Sequence, residues 1–120
     1  MPAVLLTVGI AIISLWEAPQ LPPPVASLGD KVLHGLMYTV LAVAWMVPII
    51  RYASSRIVSY VYVCLSVTAY GALMEVLQRF CTLTRSGEMA DVCANFIGAA
   101  LGVLLVGLVV FLNRKLSHRK

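Results

Sequence analysis

The sequence predicts an all-α protein: a polytopic transmembrane four-helix bundle. Three observations lead there. Of 120 residues, 61% are hydrophobic and only 12% charged, about half the charged share of a soluble domain. Mean hydropathy is +0.94. Three apolar stretches, residues 32–50, 57–78 and 92–112, each come to roughly the 20 residues that cross a hydrocarbon core about 30 Å thick. So little polar surface excludes an ordinary soluble enzyme, a nucleic-acid-binding domain and a disordered tail.

The first helix is expected over residues 2–16. It is short, and spans only with bilayer thinning or interfacial ends. A cleaved signal peptide is the competing reading, but no Lys or Arg precedes the apolar run and no small-x-small site follows Trp16. Pro2 suits a first helical turn and Trp16 an interface. Residues 17–30 hold Pro19, Pro22, Pro23 and Pro24, which favour an extended polyproline link. Helices over 32–50 and 57–78 are joined by the short turn 51–56, which makes them antiparallel neighbours. Residues 79–91, broken by Gly87, form a longer loop before the helix over 92–112, and a polar, basic tail runs from Asn113 to Lys120. No repeat or second domain interrupts this plan, so residues 1–120 are read as a single membrane domain.

Charge orients the bundle. With four spans, one side holds Arg51, Arg56, Arg114, Lys115, Arg119 and Lys120 and no acidic residue. The other holds Lys31, Arg79, Arg85 and every carboxylate. Basic loops stay in the cytoplasm, so both termini are expected there. The net charge of +4 then reports topology and attraction to anionic lipid rather than nucleic-acid binding.

On the opposite, extracytoplasmic side the polar residues converge. Asp30, Lys31, His34 and Tyr38 open the second helix, Glu75, Gln78 and Arg79 close the third, and Asp91 and Asn95 open the fourth, with Arg85 in the loop before it. Asp30, His34 and Tyr38 are spaced four apart on one stripe, as are Asp91 and Asn95, whose stripe continues into Gly98 and Gly102. Those glycines, with Ala94, let a neighbouring backbone approach closely. A carboxylate in hydrocarbon is costly unless paired, so Glu75 is expected to face Lys31, His34, Arg79 or Arg85. Outward helix N-termini and nearby cations make this mouth receptive to a phosphate or carboxylate. Plainer roles stand beside these. Asp30 and Asp91 suit helix capping, Glu75 an ion pair with Arg79, and Arg85 a lipid phosphate. Tyr38, Trp45, Tyr60, Tyr62 and Tyr70 suit packing. Cys64 reads as a packing residue, while Cys81 and Cys93 flank the outer loop, where a disulfide is possible.

The ordered set D-K-x-x-H (Asp30, Lys31, His34) with Tyr38, E-x-x-Q (Glu75, Gln78), Arg85 and D-x-x-x-N-x-x-G (Asp91, Asn95, Gly98) resembles the VanZ-like family. Its members are small bacterial membrane proteins associated with teicoplanin (glycopeptide) resistance. The likeness covers about residues 28–107. Gly35 departs from the aromatic residue that usually follows the histidine, which bears on packing at the mouth.

Two functions are expected from this set. In the first, the outward pocket binds or shields a cell-envelope component, using Asp30, Lys31, Tyr38, Gln78, Arg85, Asp91 and Asn95. That component is a lipid headgroup, a lipid-linked wall precursor or a glycopeptide. In the second, the protein is a membrane-embedded hydrolase or group transferase in which His34 and Glu75 are the catalytic acid and base, with Lys31 or Arg85 stabilising charge. No serine or cysteine stands beside a base for a covalent route. No cofactor or metal is expected: a metal held by His34, Glu75 and Asp91 is chemically possible, but spacing does not fix its geometry. Membrane lipids, and a second copy of the chain, are the expected partners; nucleic acid is not.

Overall fold

The computed structural model describes residues 2–15, 23–81 and 89–120, with the backbone alone for 23–28 and 30. Four helices follow one another: α1 (Pro2–Leu15), α2 (Pro23–Tyr52), α3 (Arg56–Cys81) and α4 (Met89–Ser117). Lys31–Tyr52 of α2, α3 and α4 are each long and apolar enough to cross a membrane, while Pro2–Leu15 is a shorter apolar helix. The chain is a helical bundle, as its composition predicts.

Helix boundaries differ from expectation in several places, among them the expected loop over 79–91, of which residues 79–81 end α3 and 89–91 begin α4. The second helix begins at Pro23, so residues 23–30 are helical rather than extended. Proline lacks only a donor that the first turn leaves unused, and its fixed φ suits that turn, so Pro23 and Pro24 start the helix instead of preventing it. Asp30 therefore lies inside α2 and not at its start, which removes its capping role. At the other end of the chain, α4 runs through the polar tail to Ser117, with Arg114 and Lys115 in its last turn, where cations offset the carbonyl end of the helix. Trp16, Arg85 and the side chain of Asp30 lie outside the described residues.

The turn between α2 and α3 is as short as expected: only residues 53–55 separate the helices. The Ala53 N–H donates to the Ile49 carbonyl (3.0 Å) as α2 ends, and the Ser59 N–H donates to the Ser55 carbonyl (3.2 Å) as α3 begins.

The most extensive packing is between α2 and α4, and small residues permit it. A Cβ at Gly102 would stand 2.5 Å from the Thr39 carbonyl oxygen and 2.9 Å from Ala42 Cβ, and one at Gly98 would strike the Gly35 carbonyl. Thr39 joins the two helices across this seam: its hydroxyl lies 2.7 Å from the Gly35 carbonyl and 2.9 Å from the Gly98 carbonyl, as donor. The small-residue stripe thus faces α2, and Gly35 is where the backbone of α2 receives it. A Cβ at Gly35 itself would touch only the Ala94 carbonyl, at 3.9 Å.

Below this seam, Leu41, Ala42, Met46, Val63, Val67, Ala99 and Val103 form the buried core, joined by Ile10 of α1. Large apolar residues also cover the outside, among them Leu36 and Val40 of α2, Val61 and Leu65 of α3, and Leu104 and Leu108 of α4. A surface of that kind is stable against lipid, not water.

Overpacking the seam costs about 1–3 kcal/mol. Gly102→Ala is therefore expected to lower the Tm of the detergent-purified protein by several degrees. Gly9→Ala, where a Cβ meets nothing within 4 Å, is not. An unchanged Tm for Gly102→Ala would show that α2 and α4 do not approach this closely.

Candidate functional site

The convergence expected from spacing is present. His34 of α2, Glu75 and Gln78 of α3, and Asp91 and Asn95 of α4 are all buried at one end of the bundle. Each reaches that position because its neighbours one turn along are also inward: His34 precedes Tyr38, Gly71 precedes Glu75, and Asp91 precedes Asn95. The seam sets the distance between α2 and α4, and the end of α3 closes the third side.

The uppermost layer is ionisable. His34 Nε2 lies 3.1 Å from Glu75 Oε1, so of the partners expected for Glu75 the histidine is one it meets. Arg79 is exposed. Donor atoms of His34, Glu75 and Asp91 all lie within 4.8 Å of one another. Lys31, half-buried at the edge, and Gln78 have polar interactions of their own. Asp91 lies in the first turn of α4, where the helix dipole favours a carboxylate. It is nevertheless only 3% exposed, whereas a carboxylate that only capped a helix would ordinarily remain in water.

The next layer is uncharged. Asn95 and Tyr38 are both 0% exposed, and they meet at Gly71. A Cβ there would lie 2.6 Å from Asn95 Nδ2 and 2.9 Å from Tyr38 Cε1, so glycine makes the room they occupy. Both amide atoms of Asn95 and the Tyr38 hydroxyl lack a hydrogen-bond partner among the described residues. A buried polar group left in that state costs about 1–3 kcal/mol. Tyr38 also places its ring nearly parallel to His34 (centroids 6.5 Å, 10°) and 6.2 Å from Tyr70.

The first helix is attached by polar contacts that the sequence reading did not anticipate. The Gln78 amide donates to the Ser14 carbonyl (2.7 Å), the Trp45 indole N–H donates to Thr7 Oγ1 (3.0 Å), and the Tyr70 hydroxyl donates to the Thr7 carbonyl (2.5 Å). Thr7 Oγ1 itself donates to the Ala3 carbonyl (2.7 Å). Trp45 and Tyr70, read from sequence as packing aromatics, are thus hydrogen-bond donors to α1. The available signal was Thr7 and Ser14 spaced seven apart on one face of an otherwise apolar helix.

Under this latch, between α1, α2 and α3, lies an apolar cavity of about 250 Å³ lined by Thr7, Leu41, Trp45, Ile49, Tyr62, Val63, Ser66, Val67 and Tyr70. Tyr62 and Ser66 are exposed, so the cavity opens to the side of the bundle. It reaches Tyr70, whose ring lies against that of Tyr38. The disulfide that the spacing of Cys81 and Cys93 permits is not formed: both are exposed, free thiols.

Removing one latch contact costs about 0.5–1.5 kcal/mol. Gln78→Leu and Tyr70→Phe are each expected to speed amide hydrogen exchange in residues 2–15 several-fold, with little change in α4. Equal acceleration in all four helices would show that these contacts support the whole bundle rather than α1.

No match to a curated protein or to a solved structure was found. The VanZ/LLP1 family model matches residues 5–111, the greater part of the chain, and takes in every described residue of the polar site: the protein belongs to the VanZ/LLP1 family.

Proposed function

We propose that the protein binds or shields a lipid-linked component of the bacterial cell envelope, and by doing so alters how teicoplanin-type glycopeptides reach their target. One observation carries this reading: a polar cluster from three helices is joined, through the Tyr38 and Tyr70 rings, to an apolar cavity that opens to the side. An amphiphile has that same division. Its anionic or hydroxyl-rich head would meet Lys31, His34, Gln78, Asp91 and Asn95, and its chain would lie along Leu41, Trp45 and Val67. The association of VanZ-like proteins with glycopeptide resistance supports the envelope as the source of that ligand.

The charge distribution supports a bacterial inner-membrane orientation with both termini cytoplasmic and the polar cluster on the extracytoplasmic side. Helix dipoles contribute less than expected there. Since α2 starts at Pro23, its N-terminus lies roughly 16 Å along the helix from His34, and α4 alone brings a positive end to the cluster.

A second reading is favoured by the 3.1 Å contact of His34 with Glu75. A carboxylate on imidazole orients a general base, so the same pocket would serve a hydrolase or group transferase, with Lys31 or Arg85 stabilising developing charge.

Expression in a teicoplanin-susceptible host is expected to raise the inhibitory concentration. His34→Gln and Glu75→Gln are expected to abolish that rise at normal membrane levels. Under the binding reading, affinity for a purified lipid-linked wall precursor falls in parallel with the phenotype. Under the enzymatic one, it stays within about tenfold, because the lost interactions belong to the transition state. Loss of folded protein in both variants, with no defect in a cavity-filling Val67→Trp variant, would reject both. A topology reporter fused after Lys120 is expected to be active in the cytoplasm; a periplasmic signal would move the cluster to the other leaflet.

A further inference from the structure

We propose that His34, Glu75 and Asp91 form a binding site for a divalent transition-metal cation, Zn²⁺ by preference, with a coordination position left open toward the ligand pocket. The three side chains come from α2, α3 and α4, are all at least nine-tenths buried, and bring one donor atom each to within 4.8 Å of one another. Metal–ligand bonds of about 2.0–2.2 Å place neighbouring donors roughly 3–3.5 Å apart. The 3.1 Å separation of His34 Nε2 and Glu75 Oε1 already has that length, and Asp91 needs to move by little more than an ångström to complete the set.

The donor chemistry selects the ion. One imidazole and two carboxylates suit Zn²⁺ or Mn²⁺, whereas Cu⁺ calls for sulfur and Mg²⁺ and Ca²⁺ for oxygen alone. Three protein ligands are also the number found where zinc keeps a place for water or substrate. Charge agrees: the Glu75 and Asp91 carboxylates lie together in a low-dielectric end of the bundle, where a divalent cation would complement both at once.

An independent observation lies just beneath. Both amide atoms of Asn95 and the hydroxyl of Tyr38 are fully buried and without a hydrogen-bond partner among the described residues. They sit one turn below Asp91 and His34 and close on Gly71, one turn below Glu75. Polar groups in that position are what a metal-bound water, or a ligand oxygen on the metal, requires as its outer partners. The open position would take the anionic oxygen of a headgroup. The site itself needs no such ligand, so it stands or falls apart from the function proposed above.

The test is a metal titration of the detergent-purified, chelator-treated full chain, with no drug or lipid precursor present. One equivalent of Zn²⁺ is expected to bind and raise the Tm, with Mn²⁺ binding more weakly. His34→Gln and Asp91→Asn, both near-isosteric, are expected to weaken it at least 100-fold, and Asn95→Leu about tenfold. The triple variant Cys81→Ser, Cys93→Ser, His118→Gln is expected to bind as tightly as wild type. A wild-type readout covers the case in which ligand variants fail to fold: the Co²⁺-loaded protein is expected to show visible ligand-field bands and no thiolate charge-transfer band. No Zn²⁺ binding by the wild type, binding that survives Asp91→Asn unchanged, or a thiolate band in the Co²⁺ form would each overturn the proposal. None of these outcomes depends on the resistance phenotype, which tests the other reading separately.

Discussion

The contact on which the site depends is the backbone approach of α4 to α2 over Gly98 and Gly102. Two helices separated by ordinary side chains stand about 8–10 Å apart, and the glycines bring these closer, until the Thr39 hydroxyl spans from its own helix to the Gly98 carbonyl at 2.9 Å. Since side chains four residues apart share a face, fixing Gly98 against Gly35 also fixes Asn95 and Asp91 one and two turns nearer the start of α4, on the face turned toward the other helices. The polar cluster is therefore a consequence of where the backbones touch. A side chain at position 98 would act on the site from a distance by moving a whole helix.

Polarity runs opposite to that of a soluble protein. The residues facing out along α2, α3 and α4 are mostly leucine, valine, isoleucine and phenylalanine, and the most deeply buried residues at one end are histidine, carboxylates and an amide. In lipid no water is present to repay such burial, so each of these groups must find its partner inside the bundle. Glu75 finds His34, while Asn95 and Tyr38 are packed tightly yet unmatched among the described residues. Groups of that kind are expensive for stability alone, and leucine at position 95 would fill similar space without the cost. Their presence argues that the cluster is arranged around something other than itself.

Much of this was legible in the residues. Three spans followed from length and hydropathy, and the inward stripe of α4 followed from the four-residue spacing of Asp91, Asn95, Gly98 and Gly102, because helical geometry leaves such a series only one face. The pairing of Glu75 narrowed to four partners because a carboxylate in hydrocarbon must be paired. What spacing could not supply was contact between helices of unknown rotation, so His34 could not be chosen over Arg79 in advance. The start of α2 lies earlier than the prolines of residues 17–30 suggest, because Pro23 and Pro24 occupy the turn where proline is tolerated, as Pro2 does in α1. The donor role of Trp45 and Tyr70 was hidden because an aromatic side chain has both an apolar body and a polar tip, and only the position of Thr7 decides which one matters.

The first helix then has a physical explanation. Its 14 residues rise about 21 Å, well short of a 30 Å core, and it packs on α2 and α3 alone among the described helices. No stripe of glycines draws it in; it is held by side-chain hydrogen bonds at Thr7 and Ser14. Bonds made through Trp45 and Tyr70 keep α1 at the length of those side chains, farther out than a backbone-to-backbone seam would. The space left over is the apolar cavity, walled by the latch residues Thr7, Trp45 and Tyr70 themselves. A closely packed α1 would have stabilised the bundle more and left no cavity. The two kinds of helix contact thus divide the molecule: α2 and α4 meet closely and set the polar cluster, while α1 is held at a distance and leaves room beneath it.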